Sequence, residues 1–471
     1  MTLIKSISGI RGTIGGKTAD NLTPIDAVKF ASAYGTFILE RNNIDAESSS
    51  AQEKKVKVVI GRDARISGKM ISSLVANTLV GLGIDVIDLG LSTTPTVEVA
   101  VPLENAQGGI ILTASHNPKQ WNALKLLNEK GEFLNGAEGE LILQKAENDD
   151  FTYADVDDLG SYSKDKSYLQ KHIQEVLNLE LVDVEAIKKA NFKVVVDGVN
   201  STGGIFIPAL LKELNVDCVE LYCEPNGQFP HNPEPLKEHL TDISELVVKE
   251  QADFGIVVDP DVDRLALISE DGSMFGEEYT LVACADYVLG KLGGGNTVSN
   301  LSSSRALRDV TEKHGGTYTA SAVGEVNVVI KMKETNTVIG GEGNGGIIYP
   351  ASHYGRDSLV GVALFLSHLA NQKMSCKELR DSYPSYFMSK NKIQLTPQIN
   401  VDEVLEIMAS KYQHEDVNTI DGVKIDFENE WVHLRKSNTE PIIRIYTESN
   451  SQENADNLAK RFIKEIEDVI A

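Results

Sequence analysis

Apolar and polar positions along this chain follow two periods in turn. Short apolar runs end in turns rich in Gly, Ser, Asn and Asp, and stretches with three-to-four spacing follow them. Thr23-Pro24-Ile25-Asp26 reads as an N-cap with proline at the first helical position and predicts a helix to about Arg41. The polar segment from Asn42 to Lys55 reads as a surface loop. Lys57–Ile60 is then a buried strand, Gly61–Gly68 a loop, and a helix runs to about Leu82. A strand at Asp85–Leu89, a helix starting at Thr94-Pro95 and a strand at Ile110–Leu112 complete the unit. Such alternation with short links predicts a parallel sheet covered by helices.

The pattern recurs twice. Tyr168 to Lys189 has helical period, and Phe192–Gly198 is a buried strand running into the Asn200–Gly204 turn and another helix. Glu277–Leu292 reads as a helix, and Thr297–Ser304 is a third strand-to-serine turn with a helix from Arg305. Three long-period echoes of one βα unit predict three similar α/β domains, at 1–157, 158–273 and 274–375. The last segment, 376–471, is different. Lys392–Leu395, Gly422–Phe427, Trp431–Leu434 and Ile442–Tyr446 alternate like antiparallel strands, with helices at Val401–Lys411 and Gln452–Ile470. A smaller C-terminal α+β domain is expected there.

Charge narrows the function classes. The chain has 471 residues and a formal net charge of −24, which argues against bulk binding to nucleic acid or to an anionic membrane. A local cluster of Arg or Lys therefore stands out against the average field. The start lacks the apolar core of a signal peptide, and no apolar run reaches the ~18 residues of a membrane span. Cys218, Cys223, Cys284 and Cys376 do not form paired zinc-type spacings, which suits thiols in a reducing cytoplasm. A cytoplasmic, soluble protein is the expectation.

Four stretches carry candidate chemistry. In Gly109–Pro118 an apolar strand delivers Thr113, Ser115, His116 and Asn117 into a turn closed by Pro118, at a strand end where ligands of open parallel sheets sit. Ser115 is a candidate nucleophile that carries a phosphoryl group; a plain Ser–Asn turn is the alternative. His116 adjoins it, and chain neighbours seldom reach each other as base and nucleophile, so triad hydrolysis is disfavoured. In Asp259-Pro-Asp261-Val-Asp263-Arg264, three carboxylates in five residues repel unless a cation compensates. A straight strand would spread them too widely for one ion, so the loop must curl. Arg264 and the apolar run after it exclude an EF-hand, and few hard oxygen ligands suit Mg²⁺; a solvated acidic turn is the alternative.

Gly341–Gly346 matches G-x-G-x-x-G, but Ile347–Pro350 continues as a strand rather than a dinucleotide-binding helix. It reads as a flexible loop presenting Glu342 and Asn344 to a polar ligand, or as a hairpin turn. Arg435, Ser437, Asn438, Thr439 and Arg444 make a candidate phosphate cradle between two strands, with a solvated turn as the alternative. Arg11 and Lys125, taken singly, read as surface charges. His231, His353 and His433 read as structural.

Together these stretches resemble the α-D-phosphohexomutases. T-A-S-H-N-P at 113–118 is similar to that family's phosphoserine loop and D-P-D-V-D-R at 259–264 to its metal loop. G-E-G-N-G at 341–345 is similar to its sugar loop and R-K-S-N-T-E-P at 435–441 to its phosphate loop. The resemblance implies mixed-sheet α/β domains and a fourth domain around a central cleft. It implies one Mg²⁺ per chain on Asp259, Asp261, Asp263 and Ser115, with Ser115 as the phosphorylated nucleophile. Arg264, Lys125 and Arg11 would attend the transferred phosphoryl group, Lys125 as a proton-handling group if its pKa is depressed. Glu342 would take sugar hydroxyls, and Arg435, Ser437, Asn438 and Thr439 the phosphate that is not reacting.

The implied activity interconverts hexose 6- and 1-phosphates through a 1,6-bisphosphate that also serves as activator. A Mg²⁺-dependent phosphatase or bisphosphate synthase using the same phosphoserine is the alternative. The implied partner is a small sugar phosphate, with no nucleic acid or membrane, and the chain a monomer or homodimer. Many members read G-E-x-S-G-H in the sugar loop, whereas Gly346 stands at the histidine position here. The variants present resemble archaeal-type and Bacteroidetes-type phosphoglucosamine or phosphomannose mutases, which implies glucosamine phosphate as the expected substrate, with phosphomannomutase or phosphoglucomutase specificity as the alternative.

Overall fold

Thr23 and Asp26 cap the first helix reciprocally. The Thr23 hydroxyl donates to the Asp26 carboxylate, which also accepts the Thr23 N–H at 3.0 Å. The helix spans Pro24–Ala46, past the expected end at Arg41, because no Gly or Pro interrupts residues 42–46. The computed structural model describes residues 2–6, 9–46, 55–396, 399–436 and 442–470, so positions 47–54 of the expected Asn42–Lys55 loop lie outside it. Two units emerge, one of residues 1–280 with 345–377 and one of 281–344 with 378–471. Among the described residues no helix is long and apolar enough to cross a membrane.

Unit one holds two mixed sheets. In the larger, Lys57–Arg62 lies between Asp85–Leu91 and Gly108–Leu112, all parallel. Trp121–Leu127 continues the sheet antiparallel to Gly108–Leu112, and Gly9–Thr13 pairs antiparallel beyond it. These two strands are missing from the sequence reading because polar residues interrupt their apolar pattern. They carry Arg11 and Lys125. Gly108–Leu112 is buried throughout, and a Cβ at Gly108 would collide with the Tyr34 hydroxyl. That hydroxyl donates to the Leu127 carbonyl at 2.7 Å and fastens the first helix to the sheet.

The second sheet runs Leu265–Ser269, Phe254–Val258, Lys193–Asp197, Asp217–Leu221, with only the first strand antiparallel. The expected helix at Tyr168–Lys189 is two helices, Tyr168–Leu177 and Val184–Ala190. Asp183 breaks the run by capping the second, its carboxylate accepting the Ala186 N–H at 3.0 Å. Ser358–Gln372, from the segment assigned to the third domain, is a helix of unit one. Its twelve residues from Ser358 to Leu369 are buried in succession, so along that run the helix is covered on every face. Each buried Leu, Val or Phe there contributes about 1.5–3 kcal/mol.

Unit two contains the parallel strands Tyr318–Ser321, Asn296–Asn300 and Thr337–Glu342. It also contains a fully antiparallel five-stranded sheet in the order Phe387–Gln394, Ile442–Ser449, Trp431–Lys436, Val423–Asp426, Asp416–Asn418. Helices Val401–Lys411 and Gln452–Ile470 contribute Val404, Leu405, Met408, Leu458, Phe462 and Ile466 to the core beneath that sheet. The α/β architecture with an antiparallel C-terminal domain is as the sequence pattern implies.

Candidate active site

Ser115 follows the strand Gly108–Leu112 and sits in the left-handed region at φ 48°. Such a backbone is uncommon for a residue other than glycine, so the surroundings must hold it. Arg65 does so. Its Nη2 donates to the Ser115 carbonyl and, at 2.6 Å, to that of Asn117; Nη1 donates to Pro118 and Trp121 carbonyls at 2.7 and 3.1 Å. Nε donates to Asp63 Oδ2 at 2.9 Å, so all five guanidinium N–H groups have acceptors. Asp63 Oδ2 also accepts the Thr113 hydroxyl at 2.7 Å, whose oxygen accepts the Ser115 N–H at 3.0 Å. Arg65 and Asp63 are fully buried.

The Ser115 hydroxyl donates to Asp259 Oδ2 at 2.6 Å, 144 positions along the chain. Asp259 begins the turn after Phe254–Val258, and the turn curls as required, with Val262 at φ 63°. Asp259 Oδ1 accepts the N–H groups of Asp263 and Arg264, both at 3.1 Å. Ser201 and Thr202 hydroxyls hold the Pro260 carbonyl at 2.7 and 2.8 Å. Thr94 holds Asp261 twice: its hydroxyl donates to the carboxylate at 2.5 Å, and its N–H to the carbonyl at 2.9 Å.

One oxygen from each of Asp259, Asp261 and Asp263 lies within 4.8 Å of the other two. All three carboxylates are fully buried, and Asp261 Oδ1 and Asp263 Oδ1 have no hydrogen-bond partner among the described residues. Buried anionic oxygens without partners, converging from one turn, fit a hard divalent cation such as Mg²⁺. Burial and the repulsion of Asp261 and Asp263 push the Asp259 carboxyl well up. Burial would also raise Asp261, but the Lys125 ammonium and the Thr94 hydroxyl hold it below the usual range.

Lys125 donates to Asp261 Oδ2 at 2.7 Å and to Asp263 Oδ2 at 3.2 Å. The expected depressed pKa is therefore corrected. Burial pulls the ammonium down, but the two carboxylates outweigh it and hold the group above its ordinary value. Lys125 is a fixed cation here. His116 is pushed down to about 2, first by burial and then by Arg264, with Arg356 and Arg11 adding to the effect. It is a neutral ring among cations and a poor proton acceptor.

Burial first, and then the charge of nearby Arg264, lowers the pKa of Arg11. Arg264 donates to Glu234 Oε1 at 3.2 Å. The buried Nε atoms of both arginines have no hydrogen-bond partner among the described residues. Two guanidiniums with unused donors beside Ser115's neighbour make a pocket for an anion with several oxygens.

In unit two, Glu342 is not on a flexible loop. It ends the strand Thr337–Glu342, is buried, and accepts from Asn300 Nδ2 at 2.9 Å and from the Gly324 N–H at 3.3 Å. Asn344 is half-buried beyond the Gly343 N–H, which donates to the Ser303 hydroxyl at 3.1 Å. Arg435 and Arg444 are directly opposite on adjacent antiparallel strands. Arg435 pairs with Asp421 at 2.9 Å, whereas Arg444 is exposed. Opposed like charges destabilise a sheet unless an anion lies between them. Ser437, Asn438 and Thr439 lie outside the described residues.

Four family models match in order: phosphoglucomutase/phosphomannomutase alpha/beta/alpha domains I, II and III at residues 3–153, 168–272 and 276–386, and the C-terminal domain at 391–465. A protein named phosphoglucomutase/phosphomannomutase from Thermococcus kodakarensis is 36% identical over 98% of both chains. The chain belongs to the phosphoglucomutase/phosphomannomutase family. A phosphoglucosamine/phosphogalactosamine mutase of Sulfurisphaera tokodaii is 31% identical, again over 98% of both chains. A crystal structure of a phosphoglucomutase/phosphomannomutase family protein from Burkholderia thailandensis matches the fold with a TM-score of 0.83 at 24% identity, covering 99% of this chain and 98% of that one.

Two arginines at the site escape a motif reading. Arg65 lies 50 positions before Ser115, in the Gly61–Gly68 loop. Arg356 is buried and donates to Asp263 Oδ2 at 2.7 Å. The available signal for Arg65 is the pair Asp63-Ala-Arg65 in a loop after a buried strand. Arg356 stands in no motif quoted above, and only the fold brings it to the turn.

Proposed function

We propose that this chain interconverts hexose 6-phosphate and 1-phosphate, with glucosamine phosphate as the preferred sugar. Phospho-Ser115 gives its phosphoryl group to one end of the substrate, and the resulting 1,6-bisphosphate returns its other phosphate to Ser115. The observation that carries the reading is Ser115 Oγ at 2.6 Å from Asp259, beside arginines 11 and 264 whose Nε donors are unused. Phosphoryl transfer needs positioning and charge neutralisation more than covalent help, and this group of side chains offers both. The names of the archaeal relatives, phosphoglucosamine mutase among them, support the sugar.

Asp259, Asp261 and Asp263, with an oxygen on Ser115, would hold Mg²⁺, which when bound would supply electrostatic stabilisation of the transferring phosphoryl oxygens. The chain's own groups do the rest. Arg65 fixes the Ser115 backbone so that its side chain is aimed before substrate arrives. Lys125 contributes a permanent positive charge and keeps Asp261 and Asp263 ionised. Arg11 and Arg264 take non-bridging phosphoryl oxygens. Glu342 and Asn344 take sugar hydroxyls, and Arg435, Ser437, Asn438, Thr439 and Arg444 hold the phosphate that is not reacting.

Coupled assays with glucosamine, mannose and glucose 1-phosphates, started with the matching 1,6-bisphosphate, rank the substrates. Intact-mass measurement of the same samples reads phosphorylation at Ser115. Absence of turnover on all three sugars, with no phosphoryl group on Ser115, overturns the proposal.

A further inference from the structure

A second cluster of metal-ligating groups lies in unit one, built from residues outside every motif quoted above. His172 and Asp357 are fully buried, and His353 is nearly so. Their ligand atoms lie within 4.8 Å of one another. His172 Nε2 is 2.9 Å and His353 Nε2 3.1 Å from the same atom, Asp357 Oδ2. Asp357 Oδ1 is occupied, accepting the Leu359 and Val360 N–H groups at 2.8 and 3.3 Å at the start of the helix Ser358–Gln372. The outer nitrogens also face acceptors. His172 Nδ1 is 2.8 Å from the Thr96 hydroxyl, and His353 Nδ1 is 3.4 Å from Glu98 Oε2.

His353 thus has a buried carboxylate at each nitrogen. A neutral imidazole carries one N–H and can serve only one of them. Its other nitrogen then points a lone pair at a carboxylate oxygen, unless a further positive charge is present. What resolves the clash is a second ring proton, a proton on the buried Glu98 carboxyl, or a cation held between the Nε2 atoms and Asp357. Two imidazoles and one carboxylate suit zinc-class ions, in contrast to the all-carboxylate turn at Asp259–Asp263. Zn–N bonds of about 2.0–2.1 Å in a tetrahedron place ligand atoms roughly 3.3 Å apart. The 2.9 and 3.1 Å separations here open by a few tenths of an ångström, and the two ring nitrogens, within 4.8 Å of each other, settle to the same spacing. Thr96 and Glu98 then act as the acceptors that metal-bound histidines use for their outer N–H.

We propose that His172, His353 and Asp357 form a site for one zinc-class divalent cation, with water completing the tetrahedron. On binding, both Nε2 lone pairs go to the metal and each ring proton resides on Nδ1, donated to Thr96 and Glu98. A second proton on either ring leaves to solvent. The ion ties the helix Thr94–Leu103 to Tyr168–Leu177 and to the start of Ser358–Gln372. Two neighbours of this staple hold the aspartate turn: Thr94 on Asp261 and Arg356, adjacent to Asp357, on Asp263. Its occupancy is independent of which sugar is turned over.

The test is Zn²⁺ titration of untagged, chelator-stripped full-length protein against a chromogenic chelator, in excess Mg²⁺. One equivalent per chain is expected, with affinity at least about tenfold lower in His353→Gln and in His172→Gln. Asp261→Asn is expected to keep the zinc. No uptake by the wild type overturns the site and leaves a proton in its place. Uptake lost in Asp261→Asn but retained in both histidine variants also overturns it. Should the variants not fold, the wild type loaded with Co²⁺ decides: a four-coordinate, nitrogen-ligated spectrum supports the site, and a six-coordinate oxygen-only spectrum refutes it.

Discussion

The Arg356 guanidinium donates to Asp263 Oδ2 at 2.7 Å, joining positions 93 apart, and shares that carboxylate oxygen with the Lys125 ammonium at 3.2 Å. Two cations on one oxygen offset part of the repulsion among three buried carboxylates. Arg356→Ala removes one of them. Loss of one partner of a buried pair costs about 3–5 kcal/mol, and a bound divalent cation replaces part of the missing charge. The melting temperature of Arg356→Ala is therefore expected to fall more in chelator than in Mg²⁺, with kcat/KM down by about 10²-fold. An equal drop in Tm with and without Mg²⁺ refutes the charge-sharing account.

Arg65→Lys separates charge from shape. A lysine keeps the positive charge beside Asp63 but has three donors where the guanidinium fork uses five. At least two of the five acceptors, among them the carbonyls of Ser115, Asn117, Pro118 and Trp121, lose their partner, and the restraint on the left-handed backbone of Ser115 weakens. The expected result is slower phosphorylation of Ser115 with little change in KM. Stopped-flow phosphoryl uptake from a 1,6-bisphosphate measures it, and an unchanged rate counts against the clamp.

Metal removal is expected to destabilise unit one. With Mg²⁺ at about 100 times its dissociation constant, binding stabilises the folded chain by about 2.7 kcal/mol. Chelation abolishes that increment in the wild type and changes little in Asp261→Asn. Differential scanning calorimetry of both proteins, with and without Mg²⁺, reads the difference directly. A wild-type melting curve indifferent to Mg²⁺ contradicts the assignment of the aspartate turn.

His433 gives unit two an acid sensitivity. It is buried, accepts the Ser302 hydroxyl at Nδ1 (2.9 Å) and faces the Asp421 carbonyl with Nε2 (2.7 Å). Burial, opposed by that carbonyl, lowers its pKa from 6.5 to about 4. Between those values the unfolded chain binds a proton that the folded chain refuses, so stability falls as the pH drops through this window. The loss reaches about 3 kcal/mol near the lower end. His433→Gln is expected to flatten the decline in urea midpoints between pH 6.5 and pH 4; an unchanged slope assigns the effect to other groups.

Sequence pattern revealed the parts of the site that are contiguous. Asp259 to Arg264 and Thr113 to Pro118 each combine a buried strand with an abrupt polar turn, and both turns are where they were expected. Arg65 and Arg356 were not legible, because a single arginine carries no signal until a fold brings carbonyls or carboxylates to it. Lys125 was legible as a residue but not in its charge state, since that depends on Asp261 and Asp263 arriving from another sheet. His353 looked unremarkable for the same reason. Its two carboxylates come from one helix far upstream and from a position four residues on. The Tyr168–Lys189 period concealed a break because Asp183 fits either a helix face or a cap.

The helix Ser358–Gln372 and Arg356 belong to unit one, yet residues 281–344, part of unit two, precede them in the chain. A nascent chain released from the ribosome only as far as Thr280 has made Ser115 and all three aspartates but lacks the arginine and the apolar helix that complete them. Synthesis from the N-terminus thus imposes an order of maturation: the aspartate turn stays under-neutralised until the intervening segment has emerged and the chain has returned. Truncated products are consequently expected to be incompetent and exposed to proteolysis, even though they carry every residue of the nucleophile and metal motifs.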